Sequence, residues 1–239
     1  MMPDAIQPKN VCLCVNVPEI DYRKAWKLQT RLVEARKSRR LDKDIVLLLE
    51  HPSVFTLGRR GGKENLTVSE AFIHASGISI VHVERGGNIT YHGPGQLVGY
   101  PIIDLHAAGL TVTDYVDALE ELMIRTAAHW GVQAVRSPMN HGVWVGARKL
   151  GSIGIAVRRG ISFHGFALNV NVALDPFRWI NPCGLEGIGM TSMAQELSRK
   201  LPLEEVREVV QHNIEAIFQV HLAPVDGVAL QMILDAQNY

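Results

Sequence analysis

The stretch Arg85-Gly86-Gly87-Asn88-Ile89-Thr90-Tyr91-His92-Gly93-Pro94-Gly95-Gln96 constrains this chain more than any other. It holds four glycines, a proline, an arginine, a tyrosine and a histidine, and it lies between Ile78–Val83 and Leu97–Ile103, two runs that read as buried strands. Glycine admits positive φ and lets backbone approach a ligand closely. A long hairpin turn would account for the glycines alone. The interleaved Arg85, Tyr91 and His92 point instead to the wall of a pocket.

The flanking sequence sets the fold class. Val11, Leu13, Val15 and Val17 alternate, as in a half-buried strand, and put Cys12 and Cys14 together on the other face as packed small hydrophobes. Asp21 is placed to cap a helix running to about Ser38, with Trp26, Leu32 and Val33 facing inward. Ile45–Leu49 reads as a central strand, and Ser69–Ser76 as a short helix stopped by Gly77. Thr113 or Asp114 opens a long helix carrying Val116, Leu119, Leu122, Met123 and Trp130, closed by Gly131. From Gly142 to Val172 the pattern is an antiparallel meander with turns at Gly146-Ala147 and Arg159-Gly160. Pro202 belongs in the first turn of a final helix, where Glu204 and Glu205 favour the positive end of its dipole. The expected class is α+β, a mixed, largely antiparallel sheet with packed helices. No linker or repeat interrupts residues 1–239, so one domain is expected.

Charge and cysteine usage narrow the function classes. The 24 basic and 24 acidic side chains cancel, which argues against nucleic acid as the main partner. Local basic clusters remain at Arg36-Lys37-Arg39-Arg40, at Arg59-Arg60-Lys63 and at Arg158-Arg159. Three cysteines make no disulfide framework, and no apolar run approaches the ~18 residues of a membrane span. The N-terminal residues Met1-Met2-Pro3-Asp4 lack a secretory pattern. A reducing cytoplasm is therefore the expected compartment.

Five segments, in order, resemble the lipoate-protein ligase B family, the octanoyl-[acyl-carrier-protein]:protein octanoyltransferases. They are His51-Pro52-Ser53-Val54-Phe55-Thr56-Leu57-Gly58-Arg59, the glycine-rich stretch, Lys149-Leu150-Gly151-Ser152-Ile153-Gly154, His164-Gly165-Phe166-Ala167-Leu168-Asn169-Val170 and Asn181-Pro182-Cys183-Gly184-Leu185. The resemblance spans roughly Val11 to Leu197. It implies the biotin/lipoate protein ligase-like fold, related to class II aminoacyl-tRNA synthetases. It also implies transfer of octanoyl from octanoyl-acyl carrier protein to a lysine of lipoyl domains, those of 2-oxo acid dehydrogenase complexes and the glycine cleavage H protein. No metal, ATP, nucleic acid or membrane enters that reaction, because the thioester donor is already activated.

Residue by residue, the resemblance places Cys183 at the acyl-thioester position and Lys149 at the partner-lysine position. Arg85, Gly86, Gly87, Asn88, Ile89, Thr90, Tyr91 and His92 match the segment lining the acyl pocket, as do Ser152, Ile153, Gly154, Gly165, Phe166 and Ala167. By chemistry alone, Cys183 sits between turn residues and is more accessible than Cys12 or Cys14, whereas a lysine just after a turn is solvated by default. An unperturbed thiol is only a few per cent ionised at neutral pH. A cation about 4 Å away is worth up to ~4 kcal/mol at intermediate dielectric, before desolvation, and so raises the thiolate fraction. Lys149 could then act as acid and as base, and Gly151, Ser152 and Gly154 could offer N–H groups to an oxyanion.

Rival chemistries stay open at this level. Cys183 with His92 or His164 would make a hydrolase-type Cys–His pair. An ATP-dependent lipoate or biotin ligase shares the fold, but lipoate ligases follow the loop histidine with an acid where this chain has Gly93. A non-catalytic acyl or lipoyl-domain binding protein would not need both Cys183 and Lys149. Cys12-x-Cys14 with a distant Cys183 is not zinc spacing, and Gly93-x-Gly95-x-x-x-Gly99 precedes a strand rather than the helix of a dinucleotide site.

Overall fold

In a computed structural model, which describes residues 10–181 and 189–235, the first strand already departs from the expected half-burial. In β1 (Asn10–Val17), Cys12, Leu13, Cys14 and Val15 are all buried, while Val11 is exposed. Both of its faces are covered, so both alternating sets leave water.

The chain then runs through α1 (Tyr22–Lys37), β2 (Ile45–Leu49), β3 (Val54–Leu57), a 3₁₀ turn at Lys63–Asn65, α2 (Glu70–Ala75), β4 (Ser79–His82), β5 (Ile89–His92) and β6 (Gln96–Ile102). It continues with α3 (Val112–His129), β7 (Val135–Arg136), β8 (Gly142–Val145), β9 (Arg148–Arg158), β10 (Ile161–Asn169) and a 3₁₀ turn at Asp175–Trp179. After the undescribed residues come β11 (Gly189–Met190), α4 (Met193–Leu197), α5 (Leu203–Phe218), β12 (Val220–Pro224) and α6 (Gly227–Asp235).

The main sheet has the order β12-β1-β2-β6-β10-β9-β8-β7, with β11 beside β9. β12, β1 and β2 are parallel, and every pair from β2 to β7 is antiparallel. Leu13, Val15, Leu47 and Val98 pack with Leu32 and Val33 of α1 and Leu230 of α6. Cys12, Cys14, Val46 and Leu48 pack with Leu119 and Leu122 of α3 and Val210 of α5. Period-2 alternation thus feeds two cores, one on each face. Among the described residues, no helix is long and apolar enough to cross a membrane.

Local signals explain the element ends. The Asp21 side chain accepts from the Lys24 N–H at 3.1 Å and caps α1. Arg159 and Gly160 both take positive φ, 51° and 85°, the geometry of a two-residue hairpin between β9 and β10. α3 starts earlier than Thr113, because Thr111 and Asp114 form a reciprocal capping box. Pro202 is the residue before α5 rather than part of its first turn, and α5 is followed by β12 and α6, so it is not the last helix.

The glycine-rich stretch is not one loop. Ile89–His92 forms β5 and pairs with β3, Phe55 opposite Tyr91, in a separate β4-β3-β5 sheet. The two strands expected on either side of the stretch therefore belong to different sheets. β4 is half exposed, whereas β6 is buried throughout.

Candidate active site

Three segments converge on one cavity of ≈ 520 Å³. Gly86 N–H donates to the Ile155 carbonyl at 2.8 Å and stitches the glycine-rich segment to β9. On its other side, Gly58 N–H donates to Asn88, Arg59 N–H to Arg85 and Arg60 N–H to Gly87. Within the sheet, Gly154 is opposite Gly165, Ile153 opposite Phe166 and Ser152 opposite Ala167. Cross-strand register alone brings these two expected segments together.

Arg85, Gly86, Gly87, Asn88, Ile89, Thr90 and His92 line the cavity. So do Ser152, Ile153 and Gly154 of β9, and Gly165, Phe166 and Ala167 of β10. Tyr91 does not, which corrects its expected place as a wall. Alternation along β5 turns its ring away, to pack on Phe55 and Phe177, with its hydroxyl 2.9 Å from Ser53 Oγ. Gly87 has φ 86°, so Gly87→Val would report backbone strain as well as lost space.

Lys149 also lines the cavity, and it is buried to 2 % exposure rather than solvated. Its Nζ donates to the His141 carbonyl at 2.8 Å and to Asn140 Oδ1 at 3.2 Å, and lies 5.3 Å from the centre of the Trp144 ring. Met190 of β11 pairs with Lys149, and Thr191 N–H donates to the Lys149 carbonyl at 3.0 Å. The chain thus resumes beside Lys149 immediately after residues 182–188. Cys183 lies outside the described residues.

Two of the expected oxyanion donors, Gly151 and Ser152, need correction, while Gly154, among the described residues, pairs with β10 alone. Gly151 and Ser152 sit mid-sheet, paired with β10 on one side and β8 on the other. Ladder bonds occupy that backbone.

Arg85 is a clamp as much as a wall. Its guanidinium donates to the Thr56 carbonyl at 2.6 Å, to Thr56 Oγ1 at 2.8 Å and to the Gly86 carbonyl at 2.9 Å. Tyr22, Tyr100, Asn140 and His141 line the cavity as well, and no local pattern marks them in the sequence.

A model of the lipoyl protein ligase A/B catalytic domain matches residues 21–215. The chain belongs to that family. An octanoyltransferase of Desulfotalea psychrophila is 50% identical over 206 residues, covering 85% of this chain and 92% of the relative. One of Syntrophobacter fumaroxidans is 43% identical over 205 residues, covering 86% and 90%. The fold matches a solved bi-partite lipoate protein ligase from Thermoplasma acidophilum, with TM-score 0.74, 15% identity and coverage of 95% and 92%. The biotin/lipoate ligase-like architecture follows.

In this lipoyl ligase A/B domain, three histidines around the cavity are kept neutral. Burial, more than any charge, pushes His51 down to about 4 and His164 to about 3, and it holds His92 well below the ordinary value. Arg85 adds to the effect at His92 and His164. His164 also takes a left-handed φ of 55° within β10, and its backbone N–H donates to Gln29 Oε1 at 2.7 Å.

These shifts set a pH window. Histidines of the unfolded chain take up protons below about 6.5, while the folded ones stay neutral to about 4 and about 3. Stability is full above 6.5 and falls as pH drops through that window. Between pH 7 and pH 5 the loss is about 2 kcal/mol per buried histidine. Urea midpoints should therefore fall clearly at pH 5, and unchanged midpoints would contradict the assignment.

Proposed function

We propose that this chain moves an octanoyl group from octanoyl-acyl carrier protein to a lysine of lipoyl domains, through a thioester on Cys183. The acceptors are the lipoyl domains of 2-oxo acid dehydrogenase complexes and the glycine cleavage H protein. The observation that carries this reading is a buried Lys149 in the wall of the cavity, paired with the strand that follows the Cys183 segment. The name carried by relatives at 50% and 43% identity supports the acyl group.

In the first step the Cys183 thiolate bonds to the carbonyl carbon of the donor thioester, and the carrier thiolate leaves and takes up a proton. In the second, the lysine amine bonds to that carbon, the C–S bond breaks, and the proton released by nitrogen ends on the departing sulfur. Lys149 is the candidate carrier of both protons. Val98, Ile153, Ile155 and Phe166 give the tail apolar walls. The cavity lies within the ~300–1,000 Å³ range of small-molecule sites, and each methylene buried there contributes about 0.8 kcal/mol. One catalytic unit suffices, with neither metal nor ATP, since the thioester supplies the driving force.

The test is intact mass spectrometry after incubation with octanoyl-acyl carrier protein. One hydroxylamine-labile octanoyl group is expected on the wild-type chain and none on Cys183→Ala. Cys12→Ala and Cys14→Ala should keep the adduct, because burial pushes both thiols up, Cys14 to about 11. Normal transfer by a folded Cys183→Ala protein would remove the covalent mechanism.

A further inference from the structure

His92 is joined to the strand of Lys149 by a chain of hydrogen bonds whose direction can be read from its far end. Thr191 N–H donates to the Lys149 carbonyl, and the Thr191 carbonyl accepts from Asn169 Nδ2 at 2.9 Å. A carbonyl only accepts, so Asn169 turns its amide nitrogen to Thr191 and its oxygen to Gln96. Gln96 Nε2 donates to that oxygen at 2.9 Å and to the Tyr91 carbonyl at 3.3 Å. This leaves Gln96 Oε1 facing His92 Nδ1 at 2.7 Å. An amide oxygen also only accepts, so the His92 proton sits on Nδ1 and the lone pair on Nε2.

The surroundings hold the ring in that form. Gln96 and Asn169 are almost fully buried, and they face each other in the β6–β10 register. The Tyr22 ring stacks on His92 at 5.7 Å, and His51 meets it edge-on at 5.7 Å. Arg85, His51 and His164 all disfavour an imidazolium there, and burial does so most. Among the described residues nothing bonds Nε2, and His92 lines the cavity.

We propose that His92 Nε2 is a fixed hydrogen-bond acceptor for the amine that attacks the acyl group, with Gln96 and Asn169 as the positioning residues that set its direction. This inference rests on the acyl-transfer reading. A neutral acceptor has nothing to offer a carbonyl oxygen, an oxyanion or an alkyl tail. The attacking amine carries N–H. An amine held by one N–H on Nε2 keeps its nitrogen lone pair free to attack the thioester carbon. The N–C bond then forms, the C–S bond breaks, and the proton leaves with sulfur; the ring never holds it.

The first measurement needs no substrate. Two-bond ¹H–¹⁵N spectra of the full ¹⁵N-histidine-labelled chain, assigned against His92→Gln, should give the Nδ1–H tautomer. An Nε2–H tautomer overturns the inference whatever group the chain transfers. The second measurement separates the half-reactions. Gln96→Leu should slow transfer from a pre-formed octanoyl-enzyme to a lipoyl-domain lysine by roughly 10- to 100-fold, and slow loading from octanoyl-acyl carrier protein by less. Gln96→Glu keeps an acceptor at Nδ1 but raises the proton affinity of the ring. Its transfer step should therefore fall on acidification at a pH where the wild type does not respond. Equal losses in both half-reactions, or a flat Gln96→Glu profile, overturn the role of His92 toward the amine. Absence of any octanoyl-enzyme beside an Nδ1–H tautomer overturns the transfer reading instead.

Discussion

Replacing Lys149 by methionine is expected to cut octanoyl transfer by roughly 10²- to 10⁴-fold, the usual loss when a positioned acid–base group is removed, with the protein still folded. Methionine nearly conserves the volume of the site and can occupy the space over Trp144. The change leaves Asn140 Oδ1 and the His141 carbonyl without a donor that reaches them at 3.2 and 2.8 Å. An unsatisfied buried acceptor costs about 1–3 kcal/mol. Removing a buried amine offsets part of that. Single-turnover transfer and a thermal melt decide the matter together. Transfer within tenfold of wild type by a folded Lys149→Met protein would leave the lysine no part in proton movement.

The second large effect is structural. In Gly165→Ala the new Cβ would lie 2.2 Å from the Gly99 carbonyl oxygen and 2.8 Å from Pro101 Cδ, both on the neighbouring strand β6. Backbone in a sheet centre cannot step aside, as the tip of a flexible side chain can. Gly99 is itself pressed against the Phe166 ring, which a Cβ there would meet at 2.2 Å. A loss of about 3 kcal/mol or more follows from such overpacking. That corresponds to a melting point lower by roughly 6–12 °C for a chain of this size. Gly77→Ala is the comparison: φ is 73° and nothing lies within 4 Å of its Cβ, so only backbone strain is at stake, about 1 kcal/mol. Equal losses in the two variants would mean that the β6–β10 approach is not tight.

What could be read in the sequence was what short-range physics writes there. Asp21 at the start of α1, the two-residue turn at Arg159-Gly160 and the apolar run of β2 each carry their cause within a few residues. The full burial of β1 is not legible, because alternation cannot say whether its second face is covered. α3 and α5, which cover it, lie a hundred or more residues downstream. The glycine-rich segment hides β5 because its partner β3 ends at Leu57, far upstream of the Ile89 it faces. The burial of Lys149 is equally non-local: Asn140, His141 and Trp144 fold over a residue that follows a turn. Gln96 and Asn169 each lie in a segment that resembles the family, but only strand register sets them face to face. The cavity-lining segments are legible through family resemblance, but resemblance transfers a segment and not the direction of each side chain, so it misplaces Tyr91.

The pair Cys12 and Cys14 gives the parallel edge of the sheet a built-in clock. β1 lies between β12 and β2, and Cys12 is opposite Leu222 and Cys14 opposite Pro224. Pro224 has no N–H to give to the ladder. In the native state both thiols are buried beneath α3 and α5 and held protonated, so a thiol reagent must wait for that helical layer to lift from the sheet. On a Cys183→Ala background, the slow labelling rate of each sulfur counts those openings. Labelling of both sulfurs at one rate would mean that the helices over this edge lift as a unit while the antiparallel centre stays closed.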